Sequence, residues 1–66
     1  MKITFNDERT ETFSENILQL LDEHKLIGKR GIAVAVNDLV IPSVRWEEVP
    51  VEENDVILVI TAAAGG

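Results

Sequence analysis

Residues 55–66 read Asp55-Val56-Ile57-Leu58-Val59-Ile60-Thr61-Ala62-Ala63-Ala64-Gly65-Gly66, and the first half of this stretch decides the fold. Residues 56–60 form an apolar run of strand length with no polar face. A strand of that kind is either covered on both sides, or it packs one face and keeps the other for a partner. The rest of the sequence offers one helix to cover a sheet, which gives weight to the second arrangement. Residues 62–66 carry no bulky side chain, no charge and no capping residue. They are expected to form an extended or disordered tail behind a domain at residues 1–61.

Upstream of this strand, Gly31 opens Ile32-Ala33-Val34-Ala35-Val36, in which large β-branched residues alternate with alanine. Asn37-Asp38 is a turn pair, and Leu39-Val40-Ile41 is a short strand stopped by Pro42. Ser43 to Glu48 is too short for an independent helix and reads as one irregular turn, with Trp46 closing an end of the core. Glu52-Glu53-Asn54-Asp55 is a polar turn before the last strand.

At the other end, Ile3 and Phe5 alternate with Lys2 and Thr4, a strand period. Asn6-Asp7-Glu8 signals a turn, and Arg9 to Phe13 reads as the second arm of a hairpin. Ser14 is an expected helix N-cap, with Glu15 in the first turn and Phe13 and Leu18 placed for a hydrophobic staple. Ile17, Leu18, Leu20, Leu21 and Leu26 form an apolar stripe over a helix near residues 15–26. Gly28 is the expected stop, with Lys25 and Lys29 near the negative end of the helix dipole. His24 falls beside the stripe as a boundary residue rather than a ligand. Strands split around one helix predict an α+β fold, a mixed sheet with the helix packed across one face.

Composition narrows the function. A chain of 66 residues leaves room for one core and no deep cavity. It has no cysteine, so no side-chain thiol can act as nucleophile or carry sulfur, and no disulfide or zinc site staples the core. A net charge of −6 argues against binding nucleic acid and suits steering towards a basic partner. No apolar run approaches a membrane span, and the first residues do not read as a signal peptide, so the expectation is a cytoplasmic protein. No nucleophile–base pair, phosphate loop or metal cluster is visible, so the chain is not expected to be an enzyme.

The chemistry is expected at the end of the tail. Paired glycines permit backbone angles closed to other residues and make the end thin enough to enter a narrow catalytic slot. A terminal carboxylate is an acyl group awaiting activation. Attack on the α-phosphate of ATP would give an acyl adenylate, and a sulfur nucleophile could then displace AMP to leave a thiocarboxylate.

Ile3-Thr4-Phe5-Asn6, Ala35-Val36-Asn37, Ile41-Pro42, Trp46, Asp55-Val56-Ile57-Leu58 and Ala63-Ala64-Gly65-Gly66, taken in this order, carry a family likeness. Over essentially its full length the chain resembles the ThiS family, the sulfur carriers of thiamine biosynthesis. That resemblance implies a β-grasp, or ubiquitin-like, fold. It implies that Gly66 is adenylated and converted to a thiocarboxylate, and that Gly65, Ala64 and Ala63 present it. It further implies three partners: an adenylating enzyme that spends the ATP, a cysteine desulfurase route that supplies sulfur, and a thiazole synthase that consumes it. No bound cofactor is implied. By comparison with ubiquitin-like domains, Ile57 and Val59 face the core, while Leu58 and Ile60 face a partner. Two positions depart from the family pattern: Ser43 stands where a basic residue often follows the proline, and Asn54 where glycine often precedes the acidic position. Asn tolerates left-handed backbone angles, so that turn can survive. The small subunit of molybdopterin synthase, a modifier joined to lysines and an interaction domain with an inert tail remain the alternatives.

Overall fold

A computed structural model describes residues 1–28 and 30–61 of the chain. Six regular elements follow one another: β1 (Lys2–Phe5), β2 (Glu8–Glu11), α1 (Ile17–Glu23), β3 (Ile32–Val36), β4 (Leu39–Ile41) and β5 (Val56–Thr61). A single 3-10 turn at Ser43–Arg45 lies between β4 and β5, where the irregular turn was expected. The strands form one sheet in the order β2-β1-β5-β3-β4. β1 and β5 run parallel, and the other neighbours run antiparallel. The last strand of the sequence therefore lies in the middle of the sheet, as its apolar character requires.

Both hairpins turn on Asn-Asp. Asn6 and Asp7 have φ of 50° and 69°, and Asn37 and Asp38 have φ of 51° and 72°. Two consecutive left-handed residues match the twist of a two-residue hairpin, and Asn and Asp accept that geometry at low cost. Asn54 also sits left-handed at φ 69°, so the turn before β5 survives without glycine.

One core lies under one face of the sheet. It joins Ile3 and Phe5 of β1, Val34 of β3 and Ile57 of β5 to Ile17, Leu20 and Leu21 of α1, with Val51 from the loop. Val59 is only half-buried and packs on the edge of this cluster, with Val36, Val49 and Trp46. Trp46 closes that end as its size predicts, and its Nε1–H donates to the Ile41 carbonyl at 3.0 Å.

The helix departs from its sequence reading at both ends. It begins at Ile17 rather than near residue 15, and its N-cap is Asn16, whose Oδ1 accepts from the Gln19 N–H at 2.8 Å. Ser14 is buried and caps nothing; its hydroxyl donates to Glu23 Oε1 at 2.7 Å. Asn16 is extended and bridges Pro50, flanked by bonds from Val51 N–H to the Glu15 carbonyl and from Ile17 N–H to the Val49 carbonyl. Leu18 N–H donates to the Trp46 carbonyl, so two of the helix's first free N–H groups find partners far along the chain. Phe13 is 89% exposed, so the expected staple with Leu18 does not form. β2 likewise stops at Glu11, short of Phe13.

At its C-terminus the helix ends at Glu23, not near residue 26. Lys25 takes the left-handed position at φ 61°, Lys25 N–H donates to the Asp22 carbonyl, and Leu26 N–H donates to the Leu21 carbonyl. These two bonds make a Schellman stop with lysine where glycine is usual, and Leu26 packs back on the core. Gly28, the expected stop, lies beyond it at φ 91°. Of the two lysines expected near the helix end, Lys29 lies outside the described residues.

Candidate functional site

The tail predicted to carry the chemistry, Ala63, Ala64, Gly65 and Gly66 with Ala62 before them, lies outside the described residues. What the structure places is the strand that leads into it. β5 is fixed on one side by β3, with pairs running from Val36 opposite Ile57 to Ile32 opposite Thr61. On the other side β1 pairs only with Val56 and Ile57.

The two faces of β5 separate cleanly. Ile57 is 1% exposed and points into the core, with Val59 behind it. Leu58 is 40% and Ile60 53% exposed, and Val56 joins them on the outer face. The register sets Ala35 beside Leu58 and Ala33 beside Ile60. The alanines leave the large side chains of β5 standing above their neighbours, and Val40 of β4 extends the same face beside Ala35. The outer side of the sheet is therefore an apolar surface centred on the strand that leads to the tail, which is where a docking partner would find it.

Two acidic groups flank the head of this surface. A cleft of about 180 Å³ at the head of β5 is lined by Val56, Leu58, Ala35, Asp7 and Asp38, the two carboxylates coming from the two hairpin turns. Glu47, Glu48, Glu52 and Glu53 are all exposed. Glu48 meets Arg45 at 3.4 Å, and Glu53 Oε1 accepts from the Lys2 N–H at 3.2 Å. A larger groove of about 530 Å³ runs along β4 between Leu39, Ile41, Pro42 and Arg45.

Asp55 is buried and structural. Its carboxylate accepts from Asn37 Nδ2 at 2.9 Å and from the Glu52 N–H at 2.8 Å, fixing the loop that delivers β5. Asn6 and Asn37, read from sequence only as turn residues, also bond β5 through their side chains. The usable signal was that both turns carry Asn rather than Gly at their first position. His24 is half-buried, in line with its reading as a boundary residue. Among the described residues no group of His, Cys, Asp or Glu is placed to hold a metal ion, and no helix is long and apolar enough to cross a membrane.

Comparison with known proteins agrees with this geometry. A model of the ThiS family matches residues 3–66. The sulfur carrier protein ThiS of Escherichia coli (strain K12) is 30% identical over 66 residues, covering 100% of both chains. The crystal structure of a thiamine biosynthesis protein (ThiS) from Geobacter metallireducens superposes with a TM-score of 0.85 over 100% of both chains, at 20% identity. The mixed sheet, with one α-helix among the described residues, is thus the β-grasp arrangement.

Proposed function

This chain belongs to the ThiS family, and from that premise we propose that the Gly66 carboxylate is the group that carries sulfur. The protein is a sulfur carrier of thiamine biosynthesis and not itself an enzyme. The observation that carries the assignment to Gly66 is the family match, which extends over residues 3–66 and so takes in the Gly65-Gly66 pair.

The chemistry follows from what the chain contains and lacks. With no cysteine, sulfur must ride on the main chain. A carboxylate oxygen of Gly66 attacks the α-phosphorus of ATP in the partner's site, and pyrophosphate leaves. A donor persulfide adds through its outer sulfur to the acyl carbon and AMP leaves, and a second thiol then cleaves the S–S bond, forming a disulfide with the donor, so that sulfur replaces one oxygen. Gly65 contributes clearance and backbone freedom, and Ala63 and Ala64 keep the approach narrow. The carrier itself binds no cofactor in this scheme; ATP belongs to the adenylating enzyme.

The apolar face at Leu58 and Ile60 serves as the docking surface for that enzyme and for the thiazole synthase that takes the sulfur, which reaches the carrier by a cysteine desulfurase route. Its exposure beside the strand that feeds the tail supports this reading. A cytoplasmic location suits a carrier whose activation consumes ATP, and a net charge of −6 speaks against a nucleic-acid partner.

Intact-mass analysis tests the assignment. Incubation with the adenylating enzyme, ATP and a sulfur donor should raise the mass by the exchange of one oxygen for sulfur, located to Gly66. Removing Gly66 should abolish both the shift and ATP–pyrophosphate exchange while the fold persists. Full sulfur transfer by the truncated chain would overturn the assignment.

A further inference from the structure

β5 is held at two points by one chemical device. Val36 pairs with Ile57, so the next residue, Asn37, falls opposite Val56. Asn37 N–H donates to the Val56 carbonyl at 2.7 Å, and an unbroken antiparallel pair would return a bond from Val56 N–H to the Asn37 carbonyl. The chain reverses there, and Asn37 Oδ1 accepts that bond instead, at 2.9 Å.

The parallel ladder repeats the arrangement. Phe5 pairs with Ile57, which sets Asn6 opposite Leu58. Asn6 N–H donates to the Ile57 carbonyl at 2.9 Å, and continued parallel pairing would bring Val59 N–H to the Asn6 carbonyl. The Asn6 side-chain oxygen takes this bond, at 2.8 Å. In both turns an amide side chain stands in for a backbone carbonyl that the left-handed turn has carried away. Glycine would accept the φ but offers no such acceptor.

The two asparagines differ in what lies beyond them. Asn37 holds the start of β5. Asn6 holds its far half, at Val59, and β1 pairs with nothing after Ile57. From Val59 onward β5 is paired by β3 alone, out to Thr61. We propose that Asn6 is a positioning residue for sulfur transfer: its side-chain oxygen fixes the exit half of β5 and so the direction in which the tail leaves the domain. The proposal rests on the reading of Gly66 as the transferred group.

Asn6→Gly removes the acceptor while keeping the turn, and Asn6→Asp keeps both. Asn37→Gly removes the equivalent bond at the end of β5 remote from the tail, and with it the Asn37 Nδ2 bond to Asp55. Each full-length variant is assayed with the adenylating enzyme by ATP–pyrophosphate exchange, and amide hydrogen exchange is followed by NMR, at a temperature where circular dichroism shows every variant folded. Asn6→Ser, which keeps a shorter acceptor, replaces Asn6→Gly if the latter does not fold. The expected result for Asn6→Gly is amide exchange at Val59 faster by roughly threefold to tenfold, and kcat lower by a similar factor with KM for the carrier within about twofold. Asn6→Asp restores both, and Asn37→Gly speeds exchange at Val56 while leaving kcat within about twofold.

Unchanged kcat in Asn6→Gly, or unchanged Val59 exchange, overturns the proposal. So does an equal loss of kcat in Asn37→Gly, which would mark general loosening of the strand. The control lacking Gly66 separates the two layers. If that truncation still turns over, the reading of Gly66 fails; if it is dead while Asn6→Gly is normal, only the role of Asn6 fails.

Discussion

His24 lies flat against Phe5, their ring centroids 4.1 Å apart and their planes 15° from parallel, and its buried Nε2 meets no hydrogen-bond partner among the described residues. The ring contributes stacking and apolar contact, while the nitrogen forfeits a bond it would make in water. His24→Phe should keep the contact and remove the orphan, raising stability by about 1 kcal/mol. His24→Ala should lower it. Urea denaturation of the two variants checks both signs.

Lys25 holds the left-handed helix stop at φ 61°. Lys25→Gly relieves the steric cost of a Cβ there while keeping both closing backbone bonds. Stability should rise by about 0.5–1 kcal/mol. A thermal melt that shifts downward would mean the lysine side chain contributes more than its backbone strain costs.

The two faces of β5 should respond to substitution in opposite ways. Ile57→Ala empties part of the core and should cost about 2–5 kcal/mol of stability. Ile60→Glu places a charge on the outer face. It should leave the domain folded and weaken binding to the adenylating enzyme by on the order of tenfold or more. Calorimetry of folding and of binding separates the two; an Ile60→Glu variant that unfolds would refute the assignment of this face.

Glu23 accepts hydrogen bonds from the buried hydroxyls of Thr12, at 2.6 Å, and Ser14, at 2.7 Å. These bonds favour the carboxylate, first that of Thr12 and then that of Ser14, and hold the Glu23 carboxyl below its ordinary value of 4.5. A depressed folded-state value gives stability that is complete above pH 4.5 and is lost as pH falls from there through the lower folded value. Glu23→Gln keeps an acceptor but does not titrate. Its stability should therefore fall less steeply than that of the parent below pH 4.5, measured by denaturation at stepped pH.

Charge should act on the rate of encounter. With a net charge of −6 and exposed Glu47, Glu48, Glu52 and Glu53, association with a basic partner surface should slow as salt rises. Screening sets in over about 8 Å at physiological ionic strength. Stopped-flow association rates across a salt series check this, and a flat series would rule out steering.

The strands were legible because alternation is a local property. Ile3 and Phe5 turn inward and Lys2 and Thr4 do not, whereas β5, apolar at every position from 56 to 60, shows no alternation and its inward face came from the family likeness. The helix ends were not legible because distant groups set them. Ser14 and Asn16 are both good caps by sequence. The choice falls to Asn16 because the carbonyls of Val49 and Trp46 receive the first helical N–H groups, and Val51 N–H ties down the Glu15 carbonyl just before it. At the other end, lysine in a left-handed stop has no sequence signature, whereas Gly28 offered a misleading one. The exposed apolar face at Leu58 and Ile60 was legible from the surplus of apolar residues in β5. The second duty of Asn6 and Asn37 was not, since any turn-forming residue would satisfy the hairpins alone.

The placement of β5 between β1 and β3 has a mechanical consequence. On the proposed reading, a partner that draws the tail into its site would load β5 along the strand axis. The load then falls sideways on the rungs to β3 and β1 together, so they resist in shear rather than peeling one at a time. Had the tail left from β2 or β4 at the sheet's edges, the same tug could have unzipped a border strand. A domain loaded and released by its end would then keep its sheet intact.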